Sequence, residues 1–168
     1  MAAALAIARA AEDVTGSRAA VKWPNDVRIN GKKLSGILME RAGASDALIL
    51  GIGINVARGA SEGIDGATSL EESAGGPVQR GDVLEALLKH LGAFLPLIGE
   101  TRATTLRTLY ESRLDGLGDH VSLWRMHDST PTTGRLLGVA DDGALRLDLA
   151  DGIRLFRAGD VTFRSPDS

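Results

Sequence analysis

Lys22, Asn25 and Asp26 gather a cation, an amide and an anion around Trp23-Pro24. Pro24 removes a backbone donor and biases Trp23 toward an extended conformation, so this corner cannot be a helix interior. A second cation, Lys33, follows on the return of a hairpin whose turn is Asn30-Gly31, a pair suited to a type I′ turn with positive φ at both positions. Further on comes the run Leu50-Gly51-Ile52-Gly53-Ile54-Asn55-Val56. Read as a strand, it carries Ile49, Gly51, Gly53 and Asn55 on one face, so that face loses its side chains and ends in an amide. A bared strand face can floor a ligand pocket, and glycine serves equally for close sheet packing or a bulge. Charges at a rigid corner beside such a strand are the parts needed to hold a polar ligand and act on its charge.

These residues need elements to position them. Ala4, Ile7, Ala11 and Val14 fall at helical spacing, and Gly16-Ser17 ends that helix. A strand over Ala20–Trp23 enters the corner. The hairpin returns over Lys32–Glu40, with Gly36 inside the strand, and Ala42–Asp46 makes a turn. Leu48, Leu50, Ile52, Ile54 and Val56 alternate onto the face expected to pack against helices. Residues 57–67 are rich in Gly, Ser, Glu and Asp and read as a mobile loop beside the end of that strand. A short helical turn over Thr68–Glu72 is closed by Gly75-Gly76-Pro77. Asp82 and Glu85 form a capping-box-like start for a helix with Leu84, Leu87, Leu88, Leu91 and Leu95, which Pro96 ends. Another helix, from about Thr101, carries Leu106, Leu109, Tyr110 and Leu114. The stretch Asp115–Asp119 marks a domain boundary, dividing residues 1–115 from 119–165. Beyond it, runs at Val121–Trp124, Thr133–Leu137, Ala144–Leu149, Ile153–Phe156 and Val161–Phe163 read as short strands of a small barrel, and the last four residues as a frayed tail.

The 168 residues suffice for one good core, with 43% hydrophobic and 24% charged residues. A formal charge of −3 gives no basic field for nucleic acid. With no cysteine, a disulfide framework and thiol catalysis are excluded, and a reducing, cytoplasmic setting fits. His90, His120 and His127 are scattered and make no metal-ligand spacing. The alanine-rich start lacks basic residues before its apolar run, and Arg9 interrupts it early, unlike a secretory signal. No run is long enough to cross a bilayer.

Lys22-Trp23-Pro24-Asn25-Asp26, then Lys33-Leu34-Ser35-Gly36-Ile37-Leu38 with Glu40, then Gly51-Ile52-Gly53-Ile54-Asn55 resemble the biotin–protein ligases in order and spacing. Ala67-Thr68-Ser69-Leu70 resembles the segment after that family's adenylate-binding loop, and the C-terminal strands resemble its SH3-like domain. The resemblance implies an α+β fold. A mixed sheet with packing helices, akin to class II aminoacyl-tRNA synthetases and lacking its N-terminal part, is followed by a small SH3-like β-barrel. It also implies activation of biotin with ATP and Mg2+ to biotinoyl-AMP, then transfer to a lysine of a biotin carboxyl carrier domain. A homodimer is compatible with it; nucleic acid and membrane are not implied as partners.

By the same resemblance Lys33 is the catalytic lysine, touching the biotin carboxylate and the α-phosphate, and Asp26 stands near the acceptor lysine. Gly36, Leu38, Gly51, Ile52 and Gly53, with Lys33, would line the biotin cavity. Lys22, Asn25 and Asn55, again with Lys33, would contact ATP or the adenylate; for Lys22 and Trp23 structural support and ligand contact both stay open. No metal-binding residue is assigned. The family's Gly/Arg-rich biotin loop lies upstream of the Lys22–Asp26 block, whereas this sequence opens inside the helix before it. The expectation is the C-terminal portion of a ligase, binding biotin weakly by itself. Its rivals are a binding module that retains nucleotide or carrier affinity without ligation, and a lipoate or octanoyl transferase relative.

Overall fold

The computed structural model describes residues 1–43, 47–99, 101–126 and 128–163. These described residues make an α+β arrangement of two antiparallel sheets and four α-helices. Helix α1 (Ala2–Thr15) is the hub of the first half: Ala2, Ala4, Leu5, Ala6, Ile7, Ala8, Ala10 and Ala11 are all buried. The expected single stripe is therefore nearly a full cylinder, as a helix apolar on most sides requires. Gly16 closes it in the left-handed conformation, φ 67°, its N–H bonded to Glu12 O.

The first sheet runs β1 (Ala19–Lys22), β2 (Asp26–Ile29), β3 (Lys32–Arg41) and β4 (Leu48–Ile54) in sequence order. Between β1 and β2 the chain turns at Trp23-Pro24, whose peptide bond is cis. Asn30 and Gly31 have φ of 50° and 75°, as the type I′ reading requires. Parallel pairing enters through two isolated bridges, Val21 with Leu114 and Lys33 with Ala67. The expected turn after β3 reaches Ala44–Asp46, which lie outside the described residues.

Several local expectations are corrected. Leu48 and Leu50 do not pack under helices; they are exposed, along with Met39 opposite. Of that alternation the inner residues Ile52, Ile54 and Val56 pack against the core, where they line a cleft shared with Val83, Leu84 and Leu87 of helix α3 (Arg80–Phe94). In α3 the buried residues are Val83 and Leu87, while Leu84 and Leu88 face out. Its N-cap is Gln79, and Asp82 lies inside the first turn, favourably placed for the helix dipole but not as a cap. Residues 57–67 are not featureless: Arg58–Ser61 form a 3-10 turn and Ser61 is buried. The capping box expected at α3 is found instead at helix α2 (Leu70–Ala74), formed by Ser69 and Glu72. Helix α4 (Ala103–Glu111) stops short of Leu114, and Leu109 is exposed.

The second sheet has the order β8-β7-β6-β5-β9, from β5 (His120–Trp124), β6 (Thr132–Val139), β7 (Leu145–Leu149), β8 (Gly152–Phe156) and β9 (Asp160–Thr162). His127 and the last residues, 164–168, lie outside the described residues. No helix among the described residues is long and apolar enough to cross a membrane.

A charged clamp ties the start of this fold to the end of its helical part. Arg113 donates to both Glu12 oxygens, Nη2 to Oε2 at 2.8 Å, and to Ala19 O, while Glu12 Oε1 also accepts from Ala19 N. Burial pushes the Glu12 carboxyl up, but its bonds to Arg113 and Ala19 outweigh this and hold it below the ordinary glutamate range. Glu12→Ala should cost about 2–3 kcal/mol, since Arg113 and Ala19 N lose their acceptor. A carboxyl depressed in the folded state stabilises above the ordinary glutamate range, and that contribution fades as pH falls through the lowered value. Urea unfolding should therefore separate the parent from Glu12→Ala widely at neutral pH and much less at strongly acid pH.

Candidate active site

Lys22, Asp26, Gly36 and Gly53 form one row across all four strands of the first sheet: Lys22 pairs with Asp26, Asp26 with Gly36, and Gly36 with Gly53. They share the face away from the α1 side. Over its β1–β2 half this face meets the second sheet and its connection. Lys22 Nζ donates to Asp160 Oδ1 at 2.6 Å, Trp23 Nε1 to Gly143 O at 3.0 Å, and Arg28 lies 3.4 Å from Asp115 and over the Phe163 ring. Over the β3–β4 half it is open: Leu38, Gly51 and Gly53 are exposed. Asp26 and Lys33 stand at the border, Nζ to Oδ1 at 2.7 Å, with the lysine side chain 50% exposed and the aspartate 14%. The approach is off the line of a directed hydrogen bond, so the pair is a charge contact.

A bulge makes that pair possible. Val27 pairs with Ser35 but Arg28 pairs with Lys33, leaving Leu34 as the extra residue. An unbroken ladder would place Lys33 on the opposite face from Gly36. The bulge turns Lys33 onto the face of Asp26 and Gly36 instead, and a Cβ on Gly36 would lie 3.7 Å from Lys33 Nζ and 3.9 Å from Asp26 Oδ1. Nothing in the sequence announced the bulge, since Leu34 and Ser35 both suit a buried strand.

The remaining candidates divide. Lys22 is buried and committed to Asp160, so its ammonium braces the corner. Asn25 bridges back to β3: its Nδ2 donates to Ile37 O at 3.0 Å and its carbonyl accepts from Ile37 N. Asn55 Nδ2 donates to Thr68 O at 3.1 Å and its carbonyl accepts from Leu70 N, which fixes the segment after the 57–67 loop against β4. Ile52 sits on the helix-side face, opposite Ile37, so only its backbone borders the glycine face. Gly51 and Gly53 have room above them: a Cβ on Gly53 would meet only Gly36 O, at 3.9 Å, and one on Gly51 only Leu38, at 3.6 Å and beyond. Gly53→Val should therefore fold, its Tm within a few degrees of the parent's, while affinity for whatever occupies this face falls. Thermal unfolding paired with calorimetry checks this; lost stability with affinity kept would return the glycines to a packing role.

Chemically, the arrangement is a mobile cation held in reserve by a carboxylate, over a floor without side chains, at the edge of a covered surface. Such a cation can neutralise an anionic ligand, and a carboxylate released from it can take a proton.

Comparison with known proteins finds sequence and fold matches among the biotin and lipoate protein ligases. Residues 1–56 match the biotin/lipoate A/B protein ligase family and residues 116–164 the biotin protein ligase C-terminal domain. A biotin protein ligase from Aquifex aeolicus superposes with a TM-score of 0.86 at 33% identity, over 97% of this chain and 73% of that one. The same enzyme solved with biotin and ATP gives 0.82 at 34%, over 97% and 69%. The bifunctional ligase/repressor BirA of Bacillus subtilis is 32% identical over 95% of this chain and 50% of its own length. The chain belongs to the biotin protein ligase family. It spans about half the length of that BirA relative.

Proposed function

We propose that this chain carries the Lys33–Asp26 centre of a biotin protein ligase, which joins biotin to ATP as biotinoyl-AMP and then passes biotin to a lysine of a carboxyl carrier domain. The observation that carries the reading is the 2.7 Å Lys33–Asp26 contact above Gly36, in a chain 34% identical to a ligase solved with biotin and ATP. On this reading residues 1–115 are the catalytic part and residues 119–165 the C-terminal domain.

In the first step a biotin carboxylate oxygen attacks the α-phosphorus of MgATP, the new O–P bond forms, and pyrophosphate leaves. Two anions must meet, and Lys33 swings from Asp26 to stand between them. Biotin lies along the open face of Gly36, Leu38, Gly51 and Gly53, with the backbone of Ile52 below. The nucleotide lies toward Asn25 and Asn55, whose amides hold the strand ends beside it. Magnesium enters with the nucleotide as substrate. In the second step Asp26 takes a proton from the acceptor ammonium, the free amine attacks the acyl carbon, and the bond to AMP breaks.

The test is biotin-dependent exchange of pyrophosphate into ATP, followed by mass spectrometry of a carrier domain for one added biotin per acceptor lysine. Exchange without a mass shift would confine the protein to activation. Binding of nucleotide or carrier with neither reaction would make it a binding module.

A further inference from the structure

Six polar or charged residues are buried among the described residues, and three of them, Ser61, Thr68 and Ser69, converge on one carboxylate, that of Glu72. Ser61 Oγ donates to Glu72 Oε1 at 3.2 Å; Thr68 Oγ1 and Ser69 N donate to Oε2 at 3.0 and 3.2 Å. A helix cap needs only the Ser69 contacts. The bonds to Ser61 and Thr68 reach beyond the cap, to both ends of the stretch between the 3-10 turn and α2.

That stretch holds Lys33. Its backbone N–H donates to Gly66 O at 2.7 Å, and its carbonyl accepts from Thr68 N at 2.9 Å. Both main-chain groups of the lysine are thus bonded to residues 66–68, and Asn55 Nδ2 fixes Thr68 O from the other side. At its first residues β3 is held on its other edge by the hairpin, where Lys32 and Lys33 pair with Ile29 and Arg28, and by the ion pair of Lys33 with Asp26.

We infer that Glu72 is a positioning residue for Lys33, acting through Thr68, so that the grip of this carboxylate sets where the reactive ammonium stands. The inference rests on the reading of Lys33 given above. The hydrogen bond from Thr68, with those of Ser69 and Ser61 and the positive charge of Lys32 on β3, holds the exposed Glu72 carboxyl below the ordinary glutamate range, outweighing a slight loss of hydration. The grip therefore stays intact across neutral and mildly acid pH, and is released only as pH falls through that lowered value.

Three variants of the ligase separate this from a cap. Glu72→Ala removes every bond, Glu72→Gln keeps an acceptor oxygen, and Ser69→Ala removes the cap acceptor while leaving the bonds of Thr68 and Ser61 to Glu72. Amide hydrogen exchange at Lys33 and Thr68 should quicken about tenfold in Glu72→Ala. It should return most of the way in Glu72→Gln and stay near the parent in Ser69→Ala. Pyrophosphate exchange should follow the same order, with kcat falling about tenfold in Glu72→Ala and KM for biotin changing less. Unchanged exchange at the Lys33 amide in Glu72→Ala overturns the inference, as does a Ser69→Ala variant that matches Glu72→Ala in both readouts. A parent protein without biotin-dependent pyrophosphate exchange would instead remove the role of Lys33, and the amide measurements would still decide whether Glu72 holds that residue.

Discussion

On the proposed function, Lys33→Ala in the full-length ligase should lower biotin-dependent pyrophosphate exchange by at least ~10²-fold, the usual loss when one preorganised charge contact at a developing anion is removed. The lysine is half exposed, its ammonium is paired with the Asp26 carboxylate, and the end of its side chain runs beside Gly36. Removing it takes nothing from the core, so the unfolding midpoint should stay close to the parent's. Lys33→Arg is the sharper companion. A guanidinium keeps the charge but is a broad planar fork, poorly suited to leave Asp26 for a carboxylate and a phosphate in turn. Binding should survive in Lys33→Arg better than turnover. If Lys33→Ala exchanged pyrophosphate at the parent rate, the ammonium would be an ordinary solvated charge, and the face above Gly36 would need another cation.

Asp26→Asn should split the two half-reactions. Transfer from preformed biotinoyl-AMP to a carrier lysine should fall by about 10²-fold, within the range for loss of a general base. The residual rate should then climb about tenfold per pH unit below the lysine range, because only acceptor already deprotonated can attack. Adenylate formation should hold or improve, since Asp26 Oδ1 is the group that otherwise retains the Lys33 ammonium. Stopped reactions with each half isolated provide the measurement. Equal losses in both halves would mean that Asp26 serves to hold Lys33 and not to move the acceptor's proton.

Much of this arrangement was written locally. Asn30-Gly31 specified its turn, the Lys22–Asp26 block its corner, and alternation around Gly51 and Gly53 a face that is indeed bare and open. Each of these signals lives within a few residues, where propensity and spacing act. What the sequence concealed depends on partners far along the chain or on one added residue. Lys22 reads as a free cation until Asp160 arrives, 138 positions away. The bulge at Leu34 changes which face Lys33 occupies without changing any local preference, because a buried strand accepts Leu34-Ser35 in either register. The leucines of α3 misled for the converse reason. Leu84 and Leu88 have the right period, but the neighbours of that helix, chiefly α1, meet the face of Val83 and Leu87. Periodicity reports that an apolar face exists, and packing decides how much of it is covered.

The ties from Lys22 to Asp160 and from Trp23 to Gly143 bear on how these proteins can be recombined. The connection at Asp115–Asp119 looks like a natural crossover point, with a family match ending well before it and another beginning at 116. A chimera joined there inherits one half of each tie. A donor sheet lacking an acidic residue at the place of Asp160 would leave the Lys22 ammonium without its carboxylate at the corner, a penalty of about 1.5–3 kcal/mol for one charge-assisted hydrogen bond. Interchangeable versions of this C-terminal sheet are therefore those that carry the acid and present the Gly143 carbonyl. Sequence divergence elsewhere on the sheet should matter much less to whether the hybrid folds.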